Sequence, residues 1–239
     1  MRTPSTLAIL ASLVLSSATF AQNKPDELKQ RILTQARNIG PDDFAFTRTI
    51  KSESTSNGKT EQHVAIDKFD PTKSGDARWT LVTRDGASPS ADALSQYKKD
   101  APKRRVPGYY RLADYFASPA TASSDSRGRT VFHFSALPKD IVKVMDSDVS
   151  QNATADASVT EGDGTPFVEL LHVTVRPMRL KLIAKLESYE FTARYRIGPE
   201  GKPLLIEQTT DLSGSGMGQE GKAHTVVTYS DYRAVSNKR

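Results

Sequence analysis

From residue 44 onward the chain mostly alternates apolar and polar side chains with a period of two, and helical spacing appears in one segment before that point and two after it. Phe44, Phe46, Arg48 and Ile50 fall on one side of an extended segment, and Ala45, Thr47, Thr49 and Lys51 on the other. Asn57-Gly58 follows, a pair that accepts positive φ at both positions and predicts a hairpin turn. Val64 and Ile66 continue on the return strand up to Asp70-Pro71, and Trp79, Leu81 and Thr83 alternate on a third. Beyond residue 130 the pattern is a meander. Val131, His133 and Ser135 alternate with Phe132, Phe134 and Ala136, and 155–161 and 167–176 read as strands. Met178, Leu180, Leu182, Ala184 and Leu186 alternate with Arg179, Lys181, Lys185 and Glu187. That last segment is read as one strand, with a basic amphipathic helix as the competing reading. Tyr189 to Ile197 keeps the period, Gly198–Lys202 is a loop into Leu204, Ser213–Gly218 (SGSGMG) is read as a flexible loop, and Thr225–Arg233 as the last strand.

The helical segments are distinct. In Pro25–Ile39, Leu28, Ile32 and Ala36 recur every four residues, acids occupy the first turn, and Gly40-Pro41 stops the pattern. In 88–101, Pro89 suits the first helical position with Ser88 as N-cap. Ala91, Leu94, Tyr97 and Ala101 form one narrow apolar face, and Pro102 ends it. Gly108–Phe116 (GYYRLADYF) is the most aromatic stretch and reads as a helical turn or short helix. Ala117–Arg127 is small and polar, the best linker candidate, although similar strands on both sides favour one domain. The sum is nine or ten antiparallel strands with one wet face. The apolar face must be buried, and three helical pieces cannot pave so large a sheet. The predicted fold is therefore mainly β (α+β): a single, strongly curved antiparallel half-barrel sheet with an N-terminal helix and an inserted helical lid.

The N-terminus changes where this protein is expected to work. Arg2, the apolar run Leu7–Leu15 and the small residues around Ala21 form a Sec-type signal peptide over 1–21, which leaves 22–239 as one domain. The competing reading, a membrane anchor, needs about twenty apolar residues, and the run has nine. The 239 residues contain no cysteine, which fits a bacterial periplasm, or secretion from a bacterium, better than an extracellular eukaryotic setting. Formal charge is +5, and +4 once Arg2 leaves with the leader, with both signs well mixed. That is no nucleic-acid footprint. The exception is KKDAPKRR, where Lys98, Lys99, Lys103, Arg104 and Arg105 put five bases in eight residues. It is either a solvated helix end or a contact for anionic headgroups or an acidic partner.

Catalytic signatures are missing. His63, His133, His172 and His224 lie on separate predicted strands without metal-ligand spacing, and no serine occupies a Gly-x-Ser-x-Gly elbow. No cofactor, no metal and no enzymatic role is expected. The aromatic residues form either a plain packed core or the walls of an apolar cavity. The residues assigned to such a cavity and its lid are Phe44, Phe46, Arg48, Trp79, Leu94, Tyr97, Tyr109, Tyr110 and Phe116.

A first helix, then strands ending in Leu81-Val82-Thr83-Arg84-Asp85-Gly86, then helices, then a long meander ending in Tyr229-Ser230-Asp231-Tyr232-Arg233 form a recognisable layout. In this layout the chain resembles the periplasmic lipoprotein-carrier family, the LolA/LolB-like fold of outer-membrane lipoprotein sorting. Arg48 is similar to the inward arginine that ties the lid down in such carriers. The chain departs from the family in lacking its Arg-Pro step, since Arg78 is followed by Trp79, and in placing Arg48 in the first strand. The resemblance implies a monomeric, non-catalytic periplasmic protein that holds a lipid-like or acylated ligand under a lid, with peripheral membrane contact and envelope proteins as partners. The alternative is an envelope interaction module with a fully packed core, no ligand, and its function on the basic run. Sequencing the N-terminus of the exported protein should give Gln22 first, whereas a soluble exported product that keeps Arg2 contradicts the leader.

Overall fold

The computed structural model describes residues 17–162, 164–181, 184–216 and 219–235, so most of the predicted signal peptide lies outside the described residues. Helix α1 (Ser17–Arg37) starts earlier than the apolar stripe predicts and carries Pro25 inside it. Its far half behaves as the spacing requires: Ile32, Leu33 and Ala36 are buried. The next elements are β1 (Phe44–Ser56), β2 (Lys59–Phe69), β3 (Trp79–Arg84), α2 (Ala91–Asp100) and α3 (Leu112–Phe116), with a 3-10 turn at Tyr109–Arg111 leading into α3. The second half contains β4 (Thr121–Ser124), β5 (Thr130–Phe134), β6 (Lys143–Val144), β7 (Ser147–Asp148), β8 (Ala153–Gly162) and β9 (Thr165–Val175). It closes with β10 (Met178–Lys181), β11 (Ala184–Ile197), β12 (Pro203–Gly216) and β13 (Gln219–Ala234).

Ten strands form one antiparallel sheet in the order β3-β2-β1-β13-β12-β11-β9-β8-β5-β4, and β10 pairs with β11 as the eleventh. The chain thus closes the middle of the sheet by pairing its last strand with its first. At about 4.8 Å per strand, ten flat strands would span more than 40 Å, too wide for the few helices present. Bulges at Ala45/Thr47, Ile66/Asp67, Ser158/Val159, Leu186/Ser188 and Arg194/Tyr195 supply the bend, because each adds local twist to its strand. Residues of β3 near one edge and of β5 near the other consequently join one apolar core. Tyr109 pins helix to sheet there. Its hydroxyl donates to Gln35 Oε1 of α1 (2.8 Å) and accepts from Val168 N–H of β9 (3.0 Å), next to a bulge that takes that strand out of register.

Several elements differ from the pattern-based expectation. Ser90, not Ser88, caps α2, its Oγ accepting from Ala93 N–H at 3.2 Å, so Pro89 precedes the cap rather than opening the helix. The expected linker 117–127 contains β4, an edge strand paired with β5. The single strand expected over 178–187 is two, since β10 turns back on β11 with Arg179 opposite Lys185. An alternating pattern is the same whether a strand continues or folds back on its neighbour. Ser213–Gly216 is strand rather than loop, and 217–218 lie outside the described residues. A side chain at Gly214 would come within 2.6 Å of the Lys185 carbonyl, so glycine there serves close strand approach. The hairpin at Asn57-Gly58 forms as expected, with both φ values positive.

The insertion does not act as one lid. α3 is interior, with Leu112, Tyr115 and Phe116 buried. α2 has no buried residue and packs at the β3 edge, and Leu94 is 37% exposed. One apolar residue per turn on a ten-residue helix is too narrow a stripe to hold it over the sheet. Phe116→Ala should cost about 3–5 kcal/mol in urea unfolding, and Leu94→Ala less than about 0.5.

Candidate functional site

Beyond the packed half, the inner face of the sheet opens into a cavity of about 570 Å³. Its floor comes from the middle strands. Leu171 and Val173 of β9 stand opposite Ala193 and Phe191 of β11, so these side chains share one face. Tyr189 and Tyr195 of β11 and Tyr229 of β13 extend that floor, and Tyr115 of α3 leans in from above. The mouth is built by two loops, 105–108 with Arg111 behind it, and 141–146 around the β6–β7 hairpin. The lining is apolar and aromatic below, with Arg48 at its border, and basic above, where Arg105, Arg111 and Lys143 accompany a single lining carboxylate, Asp146.

Burial raises the phenol pKa of Tyr115 and Tyr229, and pushes that of Tyr189 up to about 12. These hydroxyls stay protonated through the neutral range and are donors to whatever enters. Tyr229 spends its proton on Gln208 Oε1 at 2.5 Å. Tyr115 and Tyr189 have no protein hydrogen-bond partner among the described residues.

Arg48 stands at the border between the cavity and the packed half. Opposite it on β2 is Asp67, fully buried, which accepts from Arg48 Nε (2.8 Å) and Nη2 (2.6 Å). The Tyr97 hydroxyl of α2 donates to the same carboxylate at 2.7 Å. The guanidinium lies 4.1 Å above the Trp79 ring, and Arg104 stacks 3.5 Å over Tyr97. Burial works against the Arg48 charge, but hydrogen bonding and the negative charge of Asp67 outweigh it, so its pKa lies above the ordinary guanidinium value. The inward arginine therefore ties down α2 only through Asp67, a residue the pattern did not single out.

Of the residues assigned in advance to a cavity, only Arg48 lines the large one. Phe44, Phe46, Trp79 and Phe116 are core: Phe46 packs on Phe69, Trp79 and Tyr229, and Phe116 on Phe132 and Phe134. Phe44, Phe46, Tyr109 and Tyr110 border only a crevice of about 20 Å³. Tyr97 is half-buried, and Leu94 is at the surface. The period of two reports which side of a strand a ring takes, not whether a helix sits on it, and α1 and α3 sit on these. Within the basic run, Lys98 and Lys99 are exposed, the Lys103 side chain lies outside the described residues, and Arg105 alone reaches the cavity. The missed lining of Tyr189, Phe191 and Tyr195 was legible as alternating aromatics. Arg111 and Lys143 carried no such signal.

On the opposite face Ser123 Oγ lies 2.6 Å from His133 Nε2, and His133 Nδ1 lies 2.7 Å from Asp156 Oδ1. The connectivity is that of nucleophile, base and orienting acid. The three are exposed cross-strand neighbours away from the cavity, where water competes for every bond, and nothing there encloses a substrate. The other histidines pair likewise with single carboxylates: His63 with Asp85, His172 with Glu190 and His224 with Asp211. Among the described residues no group of three or more such side chains is placed to hold a metal ion, and no helix is long and apolar enough to cross a membrane.

No family model and no curated protein matches the chain. Among solved structures it is similar to a DUF1329 family protein from Desulfovibrio piger, at 8% identity and TM-score 0.38 over 90% of this chain and 95% of that one. It is also similar to a LolA superfamily protein from Nitrosomonas europaea, at 12% identity and TM-score 0.36 over 87% and 94% respectively.

Asp67→Ala, which strands Arg48 and frees Tyr97, should destabilise the protein by about 3–5 kcal/mol in urea unfolding. Tyr97→Phe, which removes one charge-assisted bond, should cost about 1.5–3 kcal/mol. Equal small losses from both would show that the Asp67 cluster does not hold the two elements together.

Proposed function

We propose that this protein binds the apolar chain of a lipid-like ligand on the concave side of its sheet and performs no chemistry on it. The observation that carries the reading is the open floor. Strands β9, β11 and β13 border a 570 Å³ space with Leu171, Val173, Phe191 and three tyrosines, and of these Tyr189 and Phe191 are only half-buried. That volume is in the range of small-molecule sites, roughly 300–1,000 Å³. The half-exposed rings of Tyr189 and Phe191 leave apolar surface in water at a cost of about 25 cal/mol per Å², and a ligand that covers them recovers that free energy. The signal peptide read from residues 1–21 supports a bacterial periplasmic setting, in which the protein meets lipid or acylated protein at an envelope membrane.

The competing role, an interaction module acting through residues 98–105, draws on the exposure of Lys98 and Lys99. It leaves the open floor without a purpose. Native mass spectrometry of protein purified without detergent separates the two. The binding reading expects a discrete co-purified acyl species, or uptake of added fatty acid or lysolipid by the apo protein. A clean apo mass with no uptake sinks it.

A further inference from the structure

We propose that the ligand is an amphiphile with an anionic head, held at the basic mouth, whose chain runs under Met145 into a second cavity along the same strands. This rests on the binding reading above and adds head chemistry and direction.

The head assignment comes from unbalanced charge. Three cations, Arg105, Arg111 and Lys143, line the mouth from two segments of the chain, against one lining carboxylate, Asp146. Arg48 below them is matched bidentately by Asp67 and has little left to offer. Arg111 is paired only loosely with Asp114, at 3.5 Å, and Lys143 with the exposed Asp140 at 2.7 Å. Arg105 has no carboxylate partner among the described residues, and contacts only the Asp140 carbonyl at 3.3 Å. Beneath this ring stand Tyr115 and Tyr189, protonated and without protein acceptors. Three cationic side chains and two spare hydroxyls line one space, which suits a carboxylate or phosphate and disfavours an ammonium head.

The direction comes from the floor. On β12, Gln208 lines the first cavity, while Leu212 and Gly214 line a second of about 360 Å³. Six residues of strand separate Gln208 from Gly214, roughly 20 Å. The second cavity has Leu180, Leu186, Leu212 and Ala223 around its interior, and Gly214 of β12 pairs with Gly221 of β13, so neither strand puts a side chain there. Met145, at the tip of the β6–β7 hairpin and 77% exposed, lines both cavities. A long, flexible thioether side chain is suited to lie over an alkyl chain of variable shape. Basic side chains predominate at the first space, whereas the charges bordering the second, Lys185, Lys222 and Glu220, include both signs around a mainly apolar interior, so the head is at the first and the tail in the second.

The test is calorimetric titration of the delipidated full chain with palmitate, laurate, palmityl alcohol and inorganic phosphate. Palmitate should bind at least about tenfold more tightly than the alcohol, and more tightly than laurate, because the added methylenes reach the second cavity. The Arg111→Glu/Lys143→Glu variant should lower palmitate affinity about tenfold more than it lowers that of the alcohol, and exposed Arg105→Glu should shift the ratio in the same direction. Ala223→Trp, which fills the second cavity, should bring palmitate down to the level of laurate. If alcohol and palmitate bind alike and the charge variants move both equally, the head assignment falls while the binding reading stands. If no chain-bearing probe binds, the binding reading itself falls. Phosphate binding as tight as palmitate would identify an anion site with no tail and overturn the proposal.

Discussion

An eleven-stranded sheet with one wet face has far more inner surface than one helix, one 3-10 turn and a five-residue helix can cover. The shortage governs the architecture. Bulges curl the sheet so that α1 and α3 reach both flanks, and one end of the concave face packs densely around Phe46, Tyr109, Phe116 and Phe132. At the other end the same strands continue with Leu212 and Ala223, which line the second cavity without any residue of a helix beside them. Val144 and Met145 of the small β6–β7 hairpin border that cavity. A binding space therefore follows from too little helix on too much sheet, not from a special motif.

Between the two regimes stands the Asp67 cluster. A carboxylate with no solvent exposure is sustained only by matched donors, and Arg48 and Tyr97 provide three bonds between them. One donor is on the first strand and the other on α2, so the charge joins the sheet to an element with almost no apolar anchorage of its own. The insertion is thus held by two kinds of force: burial of aromatic area for α3 and charged hydrogen bonds for α2. The second kind weakens when the carboxylate is neutralised or removed, and the first does not.

The outer face shows what the same chemistry does without enclosure. Ser123, His133 and Asp156 line up as well as any catalytic set, and they are exposed on a flat ladder of strands. Cross-strand spacing alone brings such side chains together, and bond lengths by themselves identify no active site.

Much of this fold was legible in one dimension. Alternation identified the strands, Asn57-Gly58 set the first hairpin and its register, and Ile32 with Ala36 marked the buried face of α1, because each depends only on near neighbours in the chain. Ser213–Gly216 misled for the opposite reason: a glycine-rich stretch looks like a loop until the Lys185 carbonyl of the neighbouring strand is seen to leave no room for a side chain. The aromatic residues were the sharpest case. Phe44 and Phe46 obey the same period of two as Tyr189 and Phe191, yet the first pair is packed and the second pair lines a cavity. By itself the sequence determined a mainly β chain with one apolar face, three helical segments and no catalytic signature. Only the tertiary structure decided which stretch of that face stayed uncovered and which cations gathered at its rim, because both depend on where distant segments come to rest.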